Sequence, residues 1–364
     1  MSDLNETKEI NDLKDEVQEI KDNLLLKKNL ESKTIIPLNI DLTLPLLSPR
    51  MLIFGGTSVI GTGLIKKFYE KYKIYVYSRD NNKQAILQTK FPNISSIIGD
   101  VRDYDSVFRS ISFIFPTVII LNFSLNAEEN PNEMIKTNIN GVSNVINAII
   151  DNPVYLHSSI DKTLIYFNNC SNMFKSIAEK IIINSQIDDL STLKFVSLRM
   201  GNIIETKDSI INKCHMIGKT LSKSSFVLNS PYSTLFLDKL EVYINLVDDI
   251  ITNGRHKHIY IPFLKTYTFK SIIKQFSKQY NKPIVIMGLS CNEQLHESLI
   301  NETEALRTIK NNNHYMILPI REKFKDSPLF HSNLDLLRIS KCVCPELVNG
   351  YNSDENNIDI NWLI

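Results

Sequence analysis

Glycine is scarce in this chain, with 11 among 364 residues, tryptophan occurs once, and the five cysteines are scattered. Cys342-x-Cys344 is the one close pair; it lacks the second pair and the nearby histidines of a zinc site, so the thiols read as reduced and no metal is expected. Neither sign of charge dominates. A formal net charge of +1 gives no field for gathering nucleic acid or an anionic membrane, so neither is expected as a partner. Long apolar runs are missing too: SFIFPTVIILNFSL is short and interrupted by proline, and the N-terminal MSDLNETKEINDLKDEVQEI is too charged for a signal peptide. The expectation is a cytoplasmic protein. What the chain does have is 43% hydrophobic residues, enough for a full core over two domains or one elaborated domain.

Residues 1–30 stand apart. Ile10, Leu13, Val17, Ile20 and Leu24 recur at alternating spacings of three and four, with charged residues between them. This is either a short dimerising heptad helix or one amphipathic helix packed on its own domain. Residues 31–50 include TIIPLNIDLTLPLLSPR, whose three prolines read as an extended connector.

From Met51 onward, short apolar runs alternate with helical periodicity. MLIFG, KIYVY, SSIIGD, TVIIL, VYLHS and KFVSLR read as buried strands, with helical segments at 60–72, 132–150 and 172–186. The alternation predicts an α/β fold: a doubly wound, parallel-sheet Rossmann domain over 51–204, completed by about 232–262. Residues 205–231 and 263–364 are expected to form a smaller C-terminal substrate lobe. There STLFLDKLEVYINLVDDII reads as a strand then a helix, HIYIP as a strand, and TFKSIIKQFSKQY as a helix.

IFGGTSVIGTGLI follows the first strand and opens a helix, the context that a dinucleotide fingerprint requires. Gly55 and Gly61 hold the first and third glycine positions, Thr57 and Ile60 complete the loop, and Ser58 stands at the middle one. A serine there crowds the pyrophosphate, or its hydroxyl donates to it. The second strand ends in Ser78-Arg79, where an arginine suits the 2′-phosphate of NADP; Asp80 next to it keeps NAD open. Asp100 and Val101, after the third strand, are placed for the adenine.

FGGTSVIGTGL, YSRDNNKQ, FPNISSIIGDVRD, NPNEMIKTNINGVSNVINA, SSIDK, LRMGNII, NEQLHESLINETEALRT and YNSDENNIDINWL occur in this order. With them the chain resembles the extended short-chain dehydrogenases of polysaccharide biosynthesis, specifically the UDP-N-acetylglucosamine 4,6-dehydratases. The resemblance implies an NADP-dependent lyase that oxidises a UDP-sugar at C4, eliminates water across C5 and C6, and returns the hydride to C6. It implies Asp161 as the acid for the C6 hydroxyl, Lys162 as the base at C5, and Lys175 on the nicotinamide ribose, lowering the pKa of a catalytic tyrosine. It adds Asn138 to the cofactor set and gives Asn202, Glu293 and Tyr351 to the substrate.

The sequence departs from that pattern at its centre. Ser171 occupies the tyrosine position, and a serine hydroxyl has far too high a pKa to accept the C4 proton unaided. Ile160 replaces a threonine, the loop after the fourth strand shortens to Asn122-Phe123-Ser124-Leu125, and Leu235 and Ser290 stand where arginines are expected. Two readings follow. One is a nucleotide-sugar 4,6-dehydratase or epimerase of impaired activity; the other is a catalytically inactive relative serving as scaffold for an active paralogue, in a homo- or hetero-oligomer.

Overall fold

Strand β1 (Arg50–Phe54) sends alternate side chains to opposite faces, Met51 and Ile53 to one and Leu52 and Phe54 to the other. All four are fully buried, so both faces of the sheet must be covered. The computed structural model that shows this describes residues 49–125, 130–151, 163–169, 173–185, 193–220, 224–288, 295–319, 344–347 and 350–354. The chain divides into Met1–Leu47 and Ser48–Ile364, and every described residue belongs to the second unit. The heptad segment and most of the connector lie outside the described residues; Arg50 already opens β1.

After β1 come α1 (Val59–Phe68), β2 (Lys73–Ser78), α2 (Asn81–Lys90), β3 (Ser95–Ile98), α3 (Tyr104–Ile114) and β4 (Val118–Leu121). Next are α4 (Pro131–Met134), a π-helical stretch (Ile135–Asn140), α5 (Gly141–Ile150), β5 (Thr163–Asn169), α6 (Met173–Asn184) and β6 (Lys194–Met200). Then follow β7 (Asn202–Ile203), α7 (Ile210–Lys219), β8 (Phe226–Leu228), β9 (Thr234–Asp238), α8 (Leu240–Asn253), β10 (Ile259–Pro262) and β11 (Thr266–Thr268). The described chain closes with α9 (Phe269–Tyr280), β12 (Ile284–Ile286), β13 (Ser298–Ile300), α10 (Glu302–Ala305), β14 (Thr308–Lys310), β15 (His314–Ile317) and β16 (Tyr351–Asn352).

The main sheet has the order β14-β15-β10-β6-β5-β4-β1-β2-β3, parallel except at β10–β15 and β14–β15. Helices α1 and α8 cover one face, through Leu64, Ile65, Phe68, Tyr243, Val247 and Ile250. Helices α3, α5 and α6 cover the other, through Val107, Ile111, Val145, Ile149, Ala178 and Ile182. This is the doubly wound Rossmann arrangement that the alternation predicts. A third apolar cluster, with Ile211, Phe226, Leu235, Leu237, Tyr267, Ile272 and Phe276, binds α7, α9, β8, β9 and β11 together.

Two expectations are corrected, and a third falls outside the described residues. Residues 308–317, assigned from sequence to the substrate lobe, form β14 and β15 and extend the main sheet, because the antiparallel hairpin pairs onto β10. VYLHS lies outside the described residues, and the strand between β4 and β6 is Thr163–Asn169. The run Leu164–Phe167 is longer than the three apolar residues that open VYLHS, and periodicity cannot choose between neighbouring short runs. The helix expected over 132–150 is not uniform: its π-helical stretch adds room in one turn and buries Thr137 and Asn138.

At the sheet's amino edge, His256 Nδ1 accepts the Phe195 N–H at 3.0 Å. Burial, followed by the charges of Lys257 and His258, lowers its pKa to about 4 from 6.5. The unfolded chain therefore takes up a proton that the native state refuses, so stability is full above about 6.5 and falls as pH drops toward 4. With partial exposure discounted, the loss should be roughly 1–2 kcal/mol. His256→Asn keeps an acceptor and removes the titration, so its urea midpoint should change less between pH 7 and 4.5 than the wild type's. Parallel profiles would exclude His256 as the source.

Candidate functional site

The strand order reverses between β1 and β4, and there the carboxyl ends of a doubly wound sheet open a crevice. The loops after these two strands meet across it. Gly55, at φ +80°, has no room for a side chain, since a Cβ would lie 2.4 Å from the Asn122 carbonyl oxygen. A Cβ on Gly61 would lie 2.5 Å from the Gly56 backbone. The first and third glycines are thus required by close approach. Ser58 is the N-cap of α1, its Oγ accepting the Gly61 N–H at 3.0 Å and Asn122 Nδ2–H at 2.8 Å. Thr57 lies in the turn before it, and Ile60 packs partly against the core.

At the end of β2, Ser78 accepts from Gln84 Nε2 at 2.7 Å, and the same amide nitrogen reaches the Ser78 and Ile97 carbonyls at 3.0 and 2.8 Å. Sequence reading missed Gln84, although its buried place on α2 fixes the strand ends. Asp80 is the N-cap of α2: the Lys83 N–H, then the Lys83 ammonium, hold its carboxyl below the usual range. Arg79 is half exposed, its guanidinium 3.9 Å from Asp100. Burial opposes the charge on Asp100, but Arg102 binds it at 2.9 and 2.5 Å and keeps its pKa low. Val101 is buried against Gly141. Asn138, expected among the cofactor residues, exchanges bonds of 2.7 and 2.8 Å with the Leu125 N–H and carbonyl, and so holds the loop after β4.

Asp161, Lys162, Ile160, Ser171, Ser290 and Glu293 lie outside the described residues. Ser171 belongs to the link between β5 and α6. Lys175 lies in the first turn of α6, half-buried.

One turn beyond Lys175, Glu179 enters a buried charge cluster that sequence reading did not find. Arg199 donates to Glu179 through Nε and Nη2 at 2.8 Å, to Glu304 through Nη1 and Nη2 at 2.7 Å, and to the Leu299 carbonyl at 2.7 Å. Burial opposes the charge on Glu304, but the Arg199 guanidinium outweighs it and keeps the carboxyl below its ordinary range. A cavity of about 240 Å³ opens beside this cluster, with Ser176, Lys180 and Asn301 among its walls. The signal in sequence was weak: Glu179 follows Lys175 at helical spacing, but residues 105 apart meet only in the fold.

The substrate candidates are drawn together on the neighbouring lobe. Asn202 Nδ2 donates to Glu297 Oε1 at 2.8 Å and to the Phe236 carbonyl at 3.0 Å, and Glu297 Oε2 accepts the Phe236 N–H at 2.8 Å. Burial raises the Glu297 pKa against these bonds. Tyr351 donates to the Leu264 carbonyl at 3.1 Å and accepts its N–H at 2.8 Å, and burial raises its phenol. Asn202 and Tyr351 thus brace the lobe's main chain. Leu235 lies within the lobe's apolar core, where a guanidinium would have no partner, so an arginine at 235 cannot be restored without disrupting packing.

Among the described residues, no group of three or more His, Cys, Asp or Glu side chains is placed to hold a metal ion, and no helix is long and apolar enough to cross a membrane.

Comparison with known proteins fits this architecture. The family described as polysaccharide biosynthesis protein matches residues 51–319. The chain is 28% identical over 289 residues to a UDP-N-acetylglucosamine 4,6-dehydratase (inverting) of Campylobacter jejuni, covering 74% of this chain and 83% of that protein. It is 26% identical over 283 residues to a UDP-glucose 4-epimerase of Rickettsia bellii, covering 73% and 82%. Among solved structures, Pen from Bacillus thuringiensis matches with a TM-score of 0.70 at 22% identity, over 87% of this chain and 96% of that one. The Bordetella bronchiseptica enzyme WbmG, solved in complex with NAD and UDP, matches with a TM-score of 0.55 at 16% identity, over 67% and 83%.

Proposed function

Because the chain belongs to the polysaccharide biosynthesis protein family, we propose that it is a nucleotide-sugar dehydratase or epimerase, binding NADP and of impaired activity. The observation that carries this reading is the glycine loop at the switch point between β1 and β4, with Arg79 at the next strand end. The residues fit a dinucleotide: a Cβ on Gly55 or Gly61 would fill the tight turn that the loop needs at a phosphate, and α1 points its first-turn N–H groups toward the same place. Bound there, the nicotinamide would take a hydride from the sugar and return it. Arg79 and Ser78 would hold the 2′-phosphate, and Lys175 the nicotinamide ribose.

NADP over NAD is supported by the division of labour at β2. Asp80 already caps α2 and pairs with Lys83, whereas Arg79 extends into solvent with one distant partner. At matched concentrations NADP should raise the melting temperature more than NAD, because a ligand that binds only the native state stabilises it in proportion to occupancy. Equal shifts would remove the preference, and no shift with either would remove the cofactor. The activity itself is tested by incubating the protein with UDP-N-acetylglucosamine and NADP and weighing the product: loss of one water supports the dehydratase.

The second reading is a non-catalytic partner of an active paralogue, and specific observations favour keeping it. Ser171 supplies no proton acceptor, and Ser58, Leu235 and Ser290 depart from the family pattern, whereas the intact Asp161-Lys162 pair favours the first reading. In that reading the protein binds dinucleotide without turnover.

A further inference from the structure

The serine that interrupts the glycine fingerprint has both of its acceptor positions filled. Ser58 Oγ accepts from the Gly61 N–H at 3.0 Å and from Asn122 Nδ2 at 2.8 Å. The direction of the second bond is fixed independently. Asn122 Nδ2 also reaches the Gly55 carbonyl at 3.2 Å, and a carbonyl can only accept, so that end of the amide is the nitrogen. A hydroxyl has two lone pairs and one hydrogen. With both lone pairs engaged, the Ser58 hydrogen is left to donate outward at the amino end of α1, and Ser58 is exposed there.

We propose that Ser58, held as a donor by Asn122, hydrogen-bonds the diphosphate of the bound dinucleotide and takes over the role of the missing glycine. The proposal rests on the cofactor reading above and deepens it. A phosphate oxygen at neutral pH accepts and does not donate, so a hydroxyl that can only donate matches it. A glycine at this position would let the diphosphate approach the backbone more closely; the serine gives up some approach and supplies a charge-assisted hydrogen bond instead. Asn122 lies in the shortened loop after β4, and that loop therefore takes part in cofactor binding across the crevice.

The test measures dissociation constants by calorimetry for NADP and for 2′-AMP, which carries the 2′-phosphate and lacks the diphosphate. Glycine is nearly as good a helix cap as serine, so Ser58→Gly should fold. It should weaken NADP about tenfold, the size of one lost hydrogen bond to a charged group, and leave 2′-AMP unchanged. Asn122→Leu, which frees the hydroxyl to turn, should weaken NADP by roughly two- to fivefold and also spare 2′-AMP. Unchanged or tighter NADP binding by Ser58→Gly would show that the side chain is an obstacle and overturn the proposal, as would equal losses of both ligands or an Asn122→Leu variant that binds like the wild type. A wild type that binds NADP with Ser58→Gly unaffected sinks this inference alone, whereas a wild type that binds neither ligand sinks the cofactor reading with it.

Discussion

Arg199→Met should destabilise the protein by about 3–5 kcal/mol, the usual consequence of removing one partner from a buried ion cluster. All five N–H groups of this guanidinium are donated, and the two carboxylates it serves, Glu179 and Glu304, are 1% and 7% exposed. Without it, two buried carboxylates face each other and the Leu299 carbonyl loses its donor. The neighbouring Lys180 ammonium stays 3.6 and 3.9 Å from them, too far to take over the bonds. Denaturant midpoints measure the effect. Adding Glu179→Leu and Glu304→Gln to Arg199→Met should recover most of the loss, because what destabilises is the stranded charge rather than the missing pair. The sign of the pH dependence follows from Glu304. Its folded pKa is lowered, so its contribution is present above its unfolded value of about 4.5 and lost as pH falls through the folded one. The gap between wild type and Arg199→Met should therefore narrow in acid. A loss under 1 kcal/mol, or a triple variant no better than the single, would show that the cluster is not what ties α6 to β13 and α10.

Ser171→Tyr should raise water elimination from UDP-N-acetylglucosamine by about 10²-fold or more, the low end of what a positioned proton acceptor contributes. The resemblance implies that Lys175 is the partner such a tyrosine needs. Lys175 lies four residues later in sequence, in the first turn of α6, and a lysine charge brought next to a tyrosine would lower its phenol pKa. Ser171→Phe is the control, adding a ring without the hydroxyl. A gain with tyrosine and none with phenylalanine identifies the missing acceptor as the defect. Equal gains would mean that bulk mattered, and a brisk wild type slowed by tyrosine would mean that Ser171 belongs to a different working chemistry. If neither variant turns over although NADP binds, the non-catalytic reading gains; Ser290→Arg can then be added to test substrate affinity, while Leu235 should be left alone because it is core.

The Rossmann sheet and its cofactor loop were legible because their signals are local. Strand periodicity, the Gly55 and Gly61 spacing and the Ser78-Arg79 strand end each lie within a few residues, and close backbone approach leaves no room for a Cβ at Gly55 or Gly61. The resemblance placed the chain in its family, and the match over residues 51–319 shows it. At other positions the fold shows partners that residue type does not. Asn138 and Tyr351, given to cofactor and substrate by the resemblance, also hold the main chain at Leu125 and Leu264 through their polar atoms. Leu235 looks like a lost arginine, yet its side chain lies in apolar packing.

By itself, then, the sequence determined the alternation of strands and helices, the glycine loop and the absence of a tyrosine four residues before Lys175, since each depends on residue type and short spacing. Only the tertiary structure decided which apolar run enters the sheet between β4 and β6, that β14 and β15 join its edge, and that Glu179, Arg199 and Glu304 meet. It alone brought Asn122 to the Ser58 hydroxyl. These are contests between distant groups for the same space and the same hydrogen bonds, and their outcome depends on burial and approach across the fold, which no local pattern of residues encodes.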